Sequence, residues 1–275
     1  MFERRKTVLS LVGILLAIPC ASAQTTIDLS QPVSKSLKPD TLYWSFDQGT
    51  VGESQLVEDE SGNGFDGQPL AGSAEPEPAC AKGKFGAGLH FPWTAAPVAN
   101  ADGKFLKPNA RVTWRPTKTS GSADGPKLDM SGKSFTAGLW IQLDKIHQGE
   151  SQGVVLMHRG FVNSAWMFSM VKDSKDQWAF ALLRAKSTEK TQVLNDGKWH
   201  HLAFSYNAND GIVTYWLDGE VFGAPVAATE KILASQAEND LVFTLGERNV
   251  ANFSTGFSGT ADDVFVTTGT HGFKP

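Results

Sequence analysis

The chain reads as all-β, a two-sheet antiparallel jelly-roll β-sandwich. Three observations predict this. Short runs of β-branched and aromatic residues recur at close spacing, with turn residues between several of them. No helical period alternates with those runs. Within Ser134–Leu143, the residues Phe135, Ala137, Leu139, Ile141 and Leu143 fall on alternate positions and so share one face of a strand. With 275 residues, 27 glycines, 13 prolines and 10% aromatics, the chain is long enough for one large domain with a substantial core. No internal repeat or low-complexity block divides it, so a single domain is expected over 41–270.

The amino terminus sets the compartment. Residues 1–23 read as a signal peptide: Arg4, Arg5 and Lys6 are the basic start, Val8–Ile18 the apolar run, and Ala21, Ser22 and Ala23 the small cleavage residues. The apolar run is shorter than the roughly 20 residues a spanning helix needs, and no second long apolar run follows. A soluble, exported protein is expected (periplasmic, cell-surface or extracellular), without a membrane span. Losing the signal takes away three basic residues and one acidic, moving the net charge from −4 to −6. That mild acidity argues against nucleic acid, whose phosphates need a basic stripe. Cys20 leaves with the signal, and Cys80 remains without an internal disulfide partner. A buried or idle thiol is expected for it, with an intermolecular bridge as the alternative.

The elements follow in order. Residues 24–40 are polar with no sustained period and read as a flexible leader. Thr41–Asp47 is the first strand, broken by Asp47, Gln48 and Gly49. Glu58–Gly67 is an oxygen-rich glycine loop, and Gly83–Phe91 leads into another strand. Pro92–Lys133 is irregular apart from a short strand at Arg111–Trp114; so long a segment is either a ligand-contacting rim or an insertion. Strands return at Ser134–Leu143, Gly153–His158, Ser164–Val171 and Gln177–Arg184. Gly197–Glu220 is a hairpin, Trp199–Tyr206 and Ile212–Leu217 around a polar turn. One helical turn is expected within 225–239, then strands at Asp240–Leu245 and Phe257–Thr267.

Four of these segments carry a resemblance. The W-H-H strand, turn and D-G of the hairpin, the W-x-F-D strand with its D-x-S-G-N-G loop, GKFGAGLHF at 83–91, and FSGTADDVFV at 257–266 together resemble LamG-like jelly-roll domains. These belong with pentraxin-like domains in the concanavalin A-like lectin/glucanase superfamily. The resemblance runs from about Thr41 to Val266, with Gly88 where the family usually has alanine. A non-catalytic binding module is expected, and the resemblance implies carbohydrate as its ligand, from a cell wall or external polysaccharide. A structural or adhesive module contacting an extracellular protein, and a divergent glycoside hydrolase or lyase, are the alternatives.

Candidate residues follow from chemistry and from the resemblance. Asp59, Asn63 and Asp262 are candidate ligands for one structural calcium, which takes six to eight oxygens; related domains often hold calcium where acidic segments of first and last strands meet. The alternative is that they are turn-forming acids. Trp93, Trp114 and Trp140 are candidate sugar-stacking residues. The first two lie in the irregular segment, and Trp140 points away from the Phe135/Leu139/Ile141 face. His200 and His201, being adjacent, point to opposite faces and cannot chelate one metal; one ring is expected packed and hydrogen-bonded, the other at the surface. Retaining glycoside hydrolysis needs two carboxylates about 5–5.5 Å apart, hence at i and i+2 of a strand. Glu58-Asp59-Glu60 sits in a loop, Glu75 and Glu77 flank a proline, and Asp262-Asp263 are expected on opposite faces, so no residue is nominated for catalysis.

Overall fold

A computed structural model describes residues 25–48, 56–71, 77–92, 111–114, 128–145, 153–159, 166–172, 177–182, 185–191, 194–229, 242–246 and 256–275. The elements are β1 (Thr26–Asp28), α1 (Val33–Ser36), β2 (Leu42–Trp44), β3 (Gln68–Leu70), β4 (Ala79–Lys82), β5 (Ala87–Phe91) and β6 (Arg111–Trp114). Then come β7 (Phe135–Lys145), β8 (Gly153–Arg159), β9 (Trp166–Lys172), β10 (Trp178–Leu182), β11 (Ala185–Lys186) and β12 (Trp199–Asn207). The last are β13 (Ile212–Leu217), β14 (Glu220–Val221), β15 (Val226–Ala227), β16 (Phe243–Leu245), β17 (Ser258–Thr268) and β18 (Gly272–Lys274).

Two antiparallel sheets form the sandwich. One runs β11-β10-β9-β8-β16-β6-β3, and the larger runs β14-β13-β12-β7-β17-β5-β4 with β15 on β13 and β2 on β17. Alternation makes β7 the middle of the larger sheet. Its Phe135, Ala137, Leu139, Ile141 and Leu143 are at most 1% exposed and meet Leu202 and Phe204 of β12 and Tyr215 of β13. Trp166, Phe168, Phe180 and Phe243 come from the smaller sheet. The rings pack edge-on or tilted, Phe135 at 5.4 Å and Phe168 at 5.1 Å from Phe204. Burying each such side chain contributes roughly 1.5–3 kcal/mol. Trp44 joins them, its indole N–H donating to the Phe65 carbonyl at 3.0 Å.

A second, smaller core lies on the outer face of the larger sheet, and it corrects the expected flexible leader of 24–40. From residue 25 that segment is ordered: β1 pairs in parallel with β18, and α1 follows. Ile27 and Val33 are fully buried over Tyr43, Trp140, Ala203, Phe265 and Phe273. Ile27, Leu29, Val33 and Leu37 escape a periodicity test because a strand and a single helical turn share the segment, so neither period holds throughout. The domain also runs past 270, since β18 is the partner of β1. Cys80, on the edge strand β4, is exposed rather than a buried thiol. Residues 226–227 form β15, where a helical turn was expected, and 230–239 lie outside the described residues, as does the signal segment.

Candidate functional site: an acidic seam on the outer face

Strand β17 changes partner half-way along one edge. Gly259–Ala261 pair with β5, and Val264–Val266 pair with β2. On its other edge β7 accompanies it past a register shift between Asp262 and Phe265, where Asp263 takes φ 52°. An extra residue of this kind is a β-bulge, and it breaks the alternation on which opposite faces for Asp262 and Asp263 were expected. Both carboxylates serve the outer face instead. Asp263 Oδ1 accepts the Tyr43 hydroxyl at 2.5 Å, and Oδ2 accepts the Val33 N–H at 2.9 Å. Asp262 Oδ2 accepts the Phe85 N–H at 2.9 Å. Asp47, just beyond β2, accepts the Ala87 N–H at 2.9 Å and closes the seam from the other side.

The glycines of GKFGAG follow from this clamp. A Cβ on Gly83 would stand 2.6 Å from Asp262 Oδ2, and one on Gly86, at φ 77°, would stand 2.2 Å from Asp47 Oδ1. Only glycine lets the turn sit between two carboxylates. Asp262 and Asp263 are each 1% exposed. Burial pushes the carboxyl of Asp262 up to about 8 and that of Asp263 up to about 6. The Tyr43 phenol is raised well above its ordinary range by burial, with the charge of Asp263 adding to it. Asp262 Oδ1 has no hydrogen-bond partner. The seam fastens chain segments together, and neither buried carboxylate presents an oxygen to an outside molecule.

The candidate calcium ligands do not surround one point. Asp59 Oδ1 accepts the N–H groups of Tyr43 and Ser61, and its Oδ2 accepts the Ser61 hydroxyl and the Phe65 N–H. The amide of Asn63 donates to the carbonyls of Asp40 and Thr41. Asp59 and Glu60 occupy one edge of β2 at Tyr43, whereas β17 occupies the other. Asp262 is therefore a full strand removed from Asp59, and a calcium ion bridging the two does not fit. Among the described residues no three His, Cys, Asp or Glu side chains gather as metal donors.

Trp140 faces outward as expected, yet it is only 6% exposed. The Lys84 ammonium lies 4.3 Å over its ring, with Phe85 and His201 edge-on to it, so no free face remains for a sugar. Trp114 stands opposite Phe243 in the β6–β16 register. Its side chain and the whole of Trp93 lie outside the described residues. The histidines do point apart, but the packed ring is not the hydrogen-bonded one. His201 is fully buried without a hydrogen bond, and burial lowers it to about 3. His200 bonds Asp218 at 2.8 Å and Asp196 at 3.1 Å, and the Asp218 bond raises it. Sequence reading missed Asp47, Tyr43 and Lys84 as members of this face. Asp47 carried a signal, lying in the same W-x-F-D motif that identified the strand.

Known proteins share the architecture. No curated protein matches the chain. Domain 4 of AbnA, a GH43 extracellular arabinanase from Geobacillus stearothermophilus solved with arabinotriose, superposes with a TM-score of 0.51 at 17% identity, over 84% of this chain and 93% of that one. A botulinum neurotoxin type C structure, from work on its cell entry through two ganglioside molecules, gives 0.50 at 12% identity; 83% of this chain covers 47% of that one, about half its length. At such identities the likeness is one of fold. No helix among the described residues is long and apolar enough to cross a membrane. A laminin G family described as the concanavalin A-like lectin/glucanases superfamily matches residues 117–270. With more than half of its length matched, and with β2 and β5 ahead of that match paired to β17 inside it, the chain belongs to this laminin G family of the concanavalin A-like lectin/glucanases superfamily.

Proposed function

We propose that the chain is an exported binding module for carbohydrate, of the cell-wall or extracellular polysaccharide class, and that it binds without cleaving. One observation carries the second half of this reading. Asp262 and Asp263, adjacent acids on a strand in a superfamily that includes glucanases, are buried and bonded to the chain's own N–H and O–H groups. A glycosidase needs two carboxylates open to the sugar on either side of the scissile bond. The first half draws support from the superfamily and from the arabinotriose held by the arabinanase domain, which makes sugars the first ligand class to try. Trp93 and Trp114 stay as proposed stacking residues; Trp140 does not.

The test is the thermal midpoint of the purified chain against a panel of soluble glycans. A ligand at a hundred times its dissociation constant that binds only the native state stabilises it by about 2.7 kcal/mol. A shift with one glycan class is expected, and turnover of that glycan is not. Silence across the panel together with capture of an extracellular protein would replace this reading with the adhesive one. Polysaccharide turnover abolished by a single carboxylate substitution would replace it with the hydrolase or lyase one.

A further inference from the structure

The outer face of the larger sheet is only partly covered. The chain ends lie over Trp140, His201 and Phe265, and the turn at 83–86 lies over Asp262 and Trp140. One step further along the strands the cover thins, leaving Trp199, Gln142 and His90 half-buried and Thr260 8% exposed between them. There Trp199 of β12 stands opposite Gln142 of β7, Gln142 opposite Thr260 of β17, and Thr260 opposite His90 of β5. These four side chains form one row across four adjacent strands. Three strand spacings make it about 14 Å long.

The chemistry of the row is specific. Trp199 packs against the outer core and stays partly exposed, a rigid ring at the edge of the cover. Gln142 gives one amide hydrogen to the Gly197 carbonyl at 2.6 Å, which fixes the side chain and leaves its oxygen and second hydrogen for another partner. The Thr260 hydroxyl lies 3.4 Å from His90 Nδ1. His90 ends the row 3.8 Å from Asp144, whose side chain is 52% exposed. A solvated sheet face ordinarily carries Lys and Glu. Here indole, amide, hydroxyl and imidazole follow one another, and Asp144 faces the imidazole. That set of groups suits an uncharged ligand rich in hydroxyls, with one apolar ring face to lay on Trp199.

We infer that the row Trp199–Gln142–Thr260–His90 is a binding strip for a neutral oligosaccharide chain running across the strands. Trp199 is the stacking platform, Gln142 and Thr260 hold ring hydroxyls, and His90 with Asp144 takes the far end. The inference rests on the carbohydrate reading and gives it a place, the outer face of the larger sheet.

Calorimetric titration of the full chain with arabinotriose and with cello-, xylo- and laminari-oligosaccharides tests it. For whichever sugar binds, Trp199→Ala should weaken affinity about tenfold or more, a loss of about 1.4 kcal/mol per factor of ten. Gln142→Ala and His90→Ala, at positions outside both cores, should each weaken it several-fold while leaving the thermal midpoint unchanged. They keep the test decisive if Trp199→Ala unsettles the outer core. Binding that survives both Gln142→Ala and His90→Ala at wild-type affinity overturns the strip and leaves the carbohydrate reading standing. So does a loss confined to Trp93→Ala or Trp114→Ala. A wild-type chain that binds none of these sugars overturns both.

Discussion

The two apolar cores of this chain are assembled by different means. Between the sheets, side chains arrive by strand alternation from β7, β12, β13 and the smaller sheet, and rings such as Phe204 and Phe168 meet at 5.1 Å. On the outer face, residues from both chain ends close over the sheet, tied by the acceptors of Asp263. The outer face also buries Trp140 Nε1, Trp216 Nε1, both nitrogens of His201 and Asp262 Oδ1 without hydrogen-bond partners. More than nine in ten buried polar groups are ordinarily partnered. The inner core, with Trp166 Nε1 likewise unpartnered, is set mainly by volume and pattern. The outer one depends on ionisation as well as packing.

The largest effect should separate them by magnitude. Phe204→Ala, at a fully buried inner position, should cost about 3–5 kcal/mol in denaturant unfolding. Ile27→Ala should fall near the low end of its class, about 2 kcal/mol, because a chain end can readjust around the void. Amide exchange should then quicken in β1 and β18 well before β7. Uniform quickening would mean that the two cores are one cooperative unit.

Next comes the tie itself. Asp263→Ala strands the Val33 N–H and the Tyr43 hydroxyl, and a buried donor without a partner costs about 1–3 kcal/mol. Relief of the buried carboxyl offsets part of that, so a net loss of about 2 kcal/mol is expected. An unchanged midpoint would show that the ends hold without it.

The pH profile of the thermal midpoint should sharpen the contrast. His201 is lowered to about 3 by burial, so its neutral form favours the fold above about 6.5, the unfolded value, and that contribution is lost as pH falls toward 3. His201→Leu should flatten this acid limb. Asp262 works in the other direction. Raised to about 8, it favours the fold below its unfolded value of 3.8, and the contribution drains away as pH rises through 8. Asp262→Asn should flatten the alkaline limb. His200, raised by Asp218, likewise contributes below about 6.5 and loses its contribution as pH passes its folded value. Inner-core variants such as Phe204→Leu should shift the whole profile without changing its shape.

The smallest expected effect is with calcium. Asp59 already accepts four donors from its own loop and from Tyr43, so a chelator should leave the midpoint where it was. Asp59→Ala should lower the midpoint equally with and without calcium. A midpoint that falls on chelation would show that an ion reaches this face by another ligand set.

Legibility in the sequence followed the same divide. β7 and β12 were readable because apolar residues alternate toward one face over five positions or more, β13 because it is dense in β-branched and aromatic residues, and β17 from the motif it carries. The bulge at Asp262–Asp263 was not, because it answers to a change of partner strand that no local pattern records. The outward turn of Trp140 was readable from its parity on β7, whereas its cover was not. The Val33 that helps provide it sits 230 positions from the Asp263 that anchors it. Short edge strands such as β4 and β14 are too brief for any period to register. Asp59 was weighed as a turn former or an ion ligand, and its loop spacing suited both equally.

The pairing of β1 with β18 has a mechanical consequence. The two strands run parallel, Thr26 opposite Gly272 and Asp28 opposite Lys274. Tension drawn through the amino end of one and the carboxyl end of the other pulls along the strands in opposite directions. The hydrogen bonds between them are then loaded together, in shear, instead of peeling open one after another. A stretching force applied across these two ends would be met first at this clasp, and the sandwich behind it would be spared.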